Sequence, residues 1–139
     1  MDIYIGYKYR HNKNREALKE MLEKVSDSVS SFGHKTFVLD RDIYKWQPSR
    51  STTSKSIFSI LKHMKKSDTL LAIVDCDTRS VGLMFEHIFA KVLGKKIILV
   101  IKDGLCEDPF KFFAHDTIKY KDQNDLLTKI QTSFKSSKN

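Results

Sequence analysis

Cysteine is scarce in this chain of 139 residues: only Cys76 and Cys106 occur, and their spacing is not that of a metal-ligand pair. Two reduced thiols in a cytoplasmic protein are the expected state. The five histidines, His11, His34, His63, His87 and His115, are scattered, and none pairs with a second ligand at the spacing a zinc site requires. No metal is therefore expected. No apolar run approaches the length that spans a bilayer, so no membrane association is expected. A strand begins almost at once, at Ile3-Tyr4-Ile5, which leaves no room for a signal or transit segment and points to the cytoplasm. There is no GxGxxG, no Walker loop and no nucleophile elbow, so no cofactor of the usual nucleotide kinds is expected. Internal repeats, linkers and low-complexity stretches are absent too. One domain over residues 1–134, followed by a frayed basic tail at 135–139, is the expected organisation.

What is present is cationic. Lys and Arg number 25 against 17 Asp and Glu, a net charge of +8. Much of it is lysine spread along helix faces, such as Lys19, Lys24, Lys62, Lys65 and Lys66. Basic and aromatic residues are not interleaved as in single-strand binders, so nucleic acid is not the expected partner. A small anionic ligand would suit this surface.

Strand and helix signals alternate along the chain. Apolar residues Ala17, Leu18, Met21, Leu22, Val25 and Val29 mark an amphipathic helix over 14–32, stopped near Gly33. Thr36 to Leu39 reads as a strand, and Asp40 to Thr53 as a polar loop holding Trp46 and Pro48. Ser54 to Lys66 reads as a helix with Ile57, Phe58, Ile60, Leu61 and Met64 inward. Thr69 to Val74 and Lys96 to Ile101 are continuous apolar runs, the mark of strands covered on both faces. Between them, Val81 to Leu93 reads as a helix ending at Gly94. A short helix or turn near 108–113, a strand at 117–120 and a helix over 124–134 complete the order. This alternation predicts an α/β fold: a five-stranded parallel sheet, flavodoxin-like in order, with helices on both faces.

Ligands of such sheets bind beyond the carboxyl ends of the strands. Glu86 sits just inside the helix that opens at that end of the third strand. Its line on the helix is Gly82, Glu86 and Ala90, whereas Val81, Phe85, Ile88, Phe89 and Val92 form the line expected to pack on the sheet. Gly82 would let a ligand approach the helix start closely. Ser80 is placed to cap the helix, where a hydroxyl and free amides can hold an anion. Across the same edge lie Tyr4, Gly6, Lys8 and Arg10 of the first strand and its loop, with Arg10 able to fork onto a phosphate. Asp42, Asp75 and Asp77 are further acids expected at strand ends, where service in a turn or cap is the commoner use.

These pieces, IYIGYKYR at the start, FGHKTFVLDRD at the second strand, SDTLLAIVD, and SVGLMFEHIFAKVLGKKIILVIK, resemble the nucleoside 2-deoxyribosyltransferase superfamily, which includes deoxynucleoside 5′-monophosphate N-glycosidases. The resemblance spans nearly the whole chain. It implies that Glu86 is the nucleophile, that Tyr4 positions it and that Gly82 is the loop glycine. Ser80 falls where nucleoside-cleaving members tend to have aspartate and monophosphate-cleaving members serine, which with Lys8 and Arg10 favours a nucleotide. The implied reaction is cleavage of an N-glycosidic bond by hydrolysis or transfer, and the implied assembly is a homodimer or higher homo-oligomer. The family usually has an aspartate in the helix before the third strand; counted without gaps, that place holds Ile60. His87 follows Glu86 where an aliphatic residue is common. With Ile60 there, the acid for the leaving base would come from Asp42, Asp75 or Asp77, or the fold would bind a nucleotide without cleaving it. A TIR-like NAD-cleaving or signalling domain shares the sheet, the serine-bearing loop and the helix glutamate, but the GKKIILVIK strand fits it less well.

Overall fold

The computed structural model describes residues 1–7, 15–43, 45–46, 53–75 and 81–137. Its elements are β1 (Asp2–Tyr7), α1 (Arg15–Ser30), β2 (Lys35–Val38), α2 (Leu39–Asp42), α3 (Thr53–Lys66), β3 (Thr69–Val74), α4 (Val81–Val92), β4 (Lys96–Lys102), α5 (Phe110–Phe113), β5 (Asp116–Tyr120) and α6 (Gln123–Ser137). The five strands form one sheet in the order β2-β1-β3-β4-β5, every pair parallel. This is the flavodoxin-like order that the alternating pattern predicts.

Every residue of β3 is buried, as are the five central residues of β4, because helices cover both faces. The period-two alternation then divides the core. Ile3, Ile5, Tyr7, Leu71, Ile73, Ile98 and Val100 meet α1 and α6 on one side. Tyr4, Leu70, Ala72, Val74, Ile97, Leu99 and Ile101 meet Ile60 and Met64 of α3 and Leu83 and Ala90 of α4 on the other. Gly94, at φ 71°, ends α4 in the left-handed conformation that an L side chain resists, and the Lys95 N–H closes back on the Ala90 carbonyl at 2.8 Å.

Four expectations are corrected. Leu39 opens the short helix α2 and does not end the strand, so part of the expected loop is helical. Lys135 to Ser137 continue α6 and are not a frayed tail. Phe58, expected inward, is 73% exposed. The sheet-facing line of α4 is Leu83, Glu86, His87 and Ala90, all buried. Phe85, Ile88 and Val92, expected on the sheet, point outward, Phe89 is half-buried, and the side chain of Val81 lies outside what is described. The apolar periodicity misassigned the face because α4 carries two apolar lines, and the one that packs includes two polar residues.

Candidate active site

In a sheet of this order the chain leaves β1 in one direction and β3 in the other, which opens a crevice beyond their carboxyl ends. β1 and β3 are neighbours, with Tyr4 opposite Leu70, Gly6 opposite Ala72 and Tyr7 opposite Ile73. Helix α4, the element after β3, lies over this end on the same face as Tyr4 and Gly6.

Gly6 shows how closely the two elements approach. A Cβ placed there would stand 3.1 Å from Leu83 Cδ1, 3.1 Å from Leu70 Cδ1 and 3.3 Å from Glu86 Oε2. The Glu86 carboxylate therefore rests over the backbone of β1, closer than a β-carbon at this position would ordinarily allow. Glu86 is 6% exposed. A buried acid at the carboxyl edge of such a sheet is a candidate functional group. Tyr4, two residues before Gly6 on the same face, is fully buried with its ring 5.1 Å from that of Phe37. Phe37 in turn stacks on His63 of α3 at 3.9 Å. The fold thus brings Tyr4, Gly6 and Glu86 to one side of one sheet edge.

Asp75 follows β3 directly and is half-buried. Gly82 lies in the first turn of α4. Asp42 is placed differently from the others. Its carboxylate accepts the Val38 N–H at 2.9 Å and pairs with the Arg41 guanidinium at 2.9 Å. Burial pushes its carboxyl up, but the hydrogen bonds from Arg41 and Val38 outweigh that and hold it below the usual carboxylate range. Arg41 also reaches Ser26 Oγ and the Thr36 carbonyl, so Asp42 belongs to a local brace between β2 and α1. Lys8, Arg10, Asp77 and Ser80 lie outside the described residues.

Two polar residues, Asp40 and His87, lie in the interior. Asp40 is fully buried beyond β2, and Tyr7 Oη donates to its Oδ2 at 2.6 Å while the Asp40 N–H donates back to that hydroxyl at 2.9 Å. The Trp46 N–H closes the turn onto the Asp40 carbonyl at 2.7 Å, with Lys45 and Trp46 at φ 51° and 61°, conformations strained for non-glycine residues. His87 is fully buried, its Nδ1 2.8 Å from the Leu83 carbonyl and its ring 4.6 Å from that of Phe110. Burial pushes its pKa below the ordinary value, more than the Leu83 carbonyl raises it. The clue for His87 was its i+4 spacing from Leu83. For Asp40 there was only an acid directly after a strand. Ile60 is buried in the α3–sheet core, so α3 presents an apolar side chain there. Among the described residues, no three His, Cys, Asp or Glu side chains cluster so as to hold a metal ion, and no helix is long and apolar enough to cross a membrane.

No family model matches the sequence, and no curated protein matches it. Solved structures do match. A CMP N-glycosidase, BcmB of Clostridium botulinum, superposes with a TM-score of 0.72 at 16% identity, over 96% of this chain and 99% of that one. A 2-deoxyribosyltransferase of Bacillus psychrosaccharolyticus superposes with a TM-score of 0.65 at 20% identity, over 91% and 90% of the two chains. An NAD(P)H:quinone oxidoreductase of Methanothermobacter marburgensis follows at 0.58 and 13%, over 99% and 98%. At these identities the likeness establishes a shared fold, and chemistry must be argued from the site itself.

Proposed function

We propose that this chain cleaves the N-glycosidic bond of a (deoxy)nucleoside or its 5′-monophosphate, as an N-glycosidase or a deoxyribosyltransferase, with Glu86 as nucleophile. The observation that carries the reading is the buried Glu86 carboxylate lying over Gly6 at the carboxyl edge of the parallel sheet. Support comes from the fold it shares with an N-glycosidase and a deoxyribosyltransferase.

In this reading Glu86 attacks the anomeric carbon as the C–N bond breaks. The carboxylate first stabilises the oxocarbenium-like transition state and then bonds to the sugar carbon. The base departs with the bonding electrons and takes up a proton. Water, or a second base, then displaces the carboxylate and restores it. Tyr4 is the positioning residue for Glu86. Gly6 keeps the floor beneath the carboxylate free of side chain. Gly82 admits the substrate to the helix start, and Ser80, Lys8 and Arg10 are assigned to a 5′-phosphate. Asp42 is committed to Arg41 and Val38, so protonation of the departing base falls to Asp75 among the described acids. The partner is thus a small nucleoside or nucleotide. The cytoplasm and a homo-oligomeric state belong to the same reading.

Ile60 favours a second reading. It places no carboxylate on α3, which suits a module that holds a nucleotide without cleaving it. One experiment separates the two. Purified protein is incubated with deoxynucleosides, their 5′-monophosphates and NAD beside Glu86→Gln, and products are resolved by chromatography. Release of free base that falls roughly a thousandfold or more in the Gln variant is the expected result. Saturable binding with no base released, and no exchange when a second base is added, would refute cleavage.

A further inference from the structure

A groove of about 620 Å³ runs along the β5 edge of the sheet, two strands away from β3. β5 is the outermost strand there, and β4 alone pairs with it. Glu107 and Lys111 line the groove on the α5 side, Lys129 of α6 lines it on the other, and Thr117 to Lys119 of β5 lie between them. Backbone groups along a strand alternate in direction. The Tyr120 carbonyl turns toward β4 and accepts the Asp103 N–H at 2.8 Å, whereas the Lys119 carbonyl turns away and accepts from Lys129 Nζ at 2.5 Å. Thr117, two residues before Lys119, turns its backbone to the same outer side.

We propose that this edge binds an acidic peptide segment of another protein, which adds to β5 in extended conformation as a sixth strand. Strand addition draws affinity from the edge backbone and specificity from the groups that meet alternate side chains. The five residues of β5 span roughly 17 Å, enough for about five residues of an added strand. Successive side chains of that strand point to opposite faces of the sheet. On one face they meet Lys111 and Lys119, which hold the Glu107 carboxylate at 3.0 and 2.8 Å. Two ammoniums on one carboxylate leave an excess positive charge there. On the other face they meet Lys129, which shares Asp125, 3.2 Å away, with the Lys121 N–H at 2.9 Å. Lys129 Nζ also stands where a peptide N–H would meet the Lys119 carbonyl. A peptide N–H that replaces it frees the ammonium for a peptide carboxylate, so an acidic residue is favoured on this face as well. Lysines guard many sheet edges by standing across them. Here Lys119 is turned onto Glu107, along the face of the sheet, and the groove stays open beside it. A second copy is a poorer occupant, because it sets two lysine-lined grooves against each other in a chain of net charge +8.

This binding does not depend on what Glu86 does. The test is fluorescence polarisation of the full chain with a labelled decapeptide of repeating Val-Glu-Glu-Thr-Val. It is read beside the same peptide N-methylated at its odd or at its even residues, and beside a single-stranded oligothymidylate of equal charge. The variants are Lys111→Glu, Lys129→Glu and, as a control at the opposite edge of the sheet, Lys35→Glu in β2. All three lysines are exposed, so each variant should keep the wild-type circular dichroism. The expected result is saturable binding of the parent peptide at about 10–100 µM. Lys111→Glu and Lys129→Glu should each weaken it about tenfold or more, and Lys35→Glu should not. One methylated peptide should lose binding and the other keep it, because only alternate N–H groups of an added strand face β5. No saturation at ~1 mM peptide, equal weakening in the control, or unchanged binding in both groove variants overturns the proposal. Methylation that abolishes binding in neither set or equally in both overturns it, and so does tighter binding of the oligothymidylate.

Discussion

Replacing Gly6 with alanine adds one methyl group at the point where β1 and α4 meet. Gly6 lies within a strand, so the backbone accepts alanine and the effect is steric. The new Cβ would meet Leu83 Cδ1 and Leu70 Cδ1 at 3.1 Å and Glu86 Oε2 at 3.3 Å, against an ordinary separation nearer 3.5–4 Å. Each neighbour is a side-chain end and must give by a few tenths of an ångström. Overpacking of this kind costs about 1–3 kcal/mol, while alanine recovers about 0.5–1 kcal/mol of chain entropy. The net loss is about 1–2 kcal/mol, or roughly 3–8 °C in Tm for a chain of this length. Since a displacement of about 1 Å at a reacting group costs ~100-fold in rate, a shift of a few tenths of an ångström in the Glu86 carboxylate should lower kcat by about three- to tenfold. Thermal unfolding of Gly6→Ala, Leu83→Ala and the double variant checks the contact directly. Removal of the Leu83 methyls should relieve part of the strain, leaving a coupling of about 0.5–1 kcal/mol between the two sites. Additive effects, together with a single Gly6→Ala variant as stable as the wild type, would refute the close approach of Glu86 and Leu83 to β1.

Two further outcomes follow from the buried polar groups. His87 has a pKa below its ordinary 6.5 in the folded protein, so the unfolded chain binds the proton more readily. Its contribution is intact above pH 6.5 and is lost as pH falls below that value, by up to about 1.4 kcal/mol per pH unit. His87→Gln should flatten the fall in Tm between pH 7 and 5; an unchanged profile would mean that His87 does not titrate in this way. Tyr7→Phe removes the hydroxyl that joins Asp40 in two hydrogen bonds, and urea unfolding should show a loss of about 1–3 kcal/mol. A neutral result would mean that other groups or water satisfy Asp40.

The sheet was legible because its strands are simple signals. Thr69 to Val74 is apolar throughout, as a strand covered on both sides must be, and the boundaries read from the sequence match β3. The crossover lengths then favour parallel pairing, and the order follows from few alternatives. Glu86 was legible as a candidate because its place after a strand, a loop and a helix start has a known relation to the sheet edge. What surrounds Glu86 was less so. The line of Leu83, Glu86, His87 and Ala90 is half polar, and the competing line of Phe85, Ile88 and Val92 is wholly apolar, so periodicity favoured the face that the fold turns outward. Asp42 looked like a site acid, but its engagement by Arg41 and Val38 depends on the turn of α2, which lacked a helical signal of its own.

The sequence by itself determined the class of fold, the order of its elements and the placing of one acid at the carboxyl edge of the sheet, because these depend on patterns local to each segment. Tertiary structure alone decided which face of α4 is buried, that Gly6 makes room for the Glu86 carboxylate, and that Tyr7 and Asp40 pair in the interior. Those contacts join residues far apart in the chain. Each rests on distances of about 3 Å, which close packing sets and periodicity does not encode.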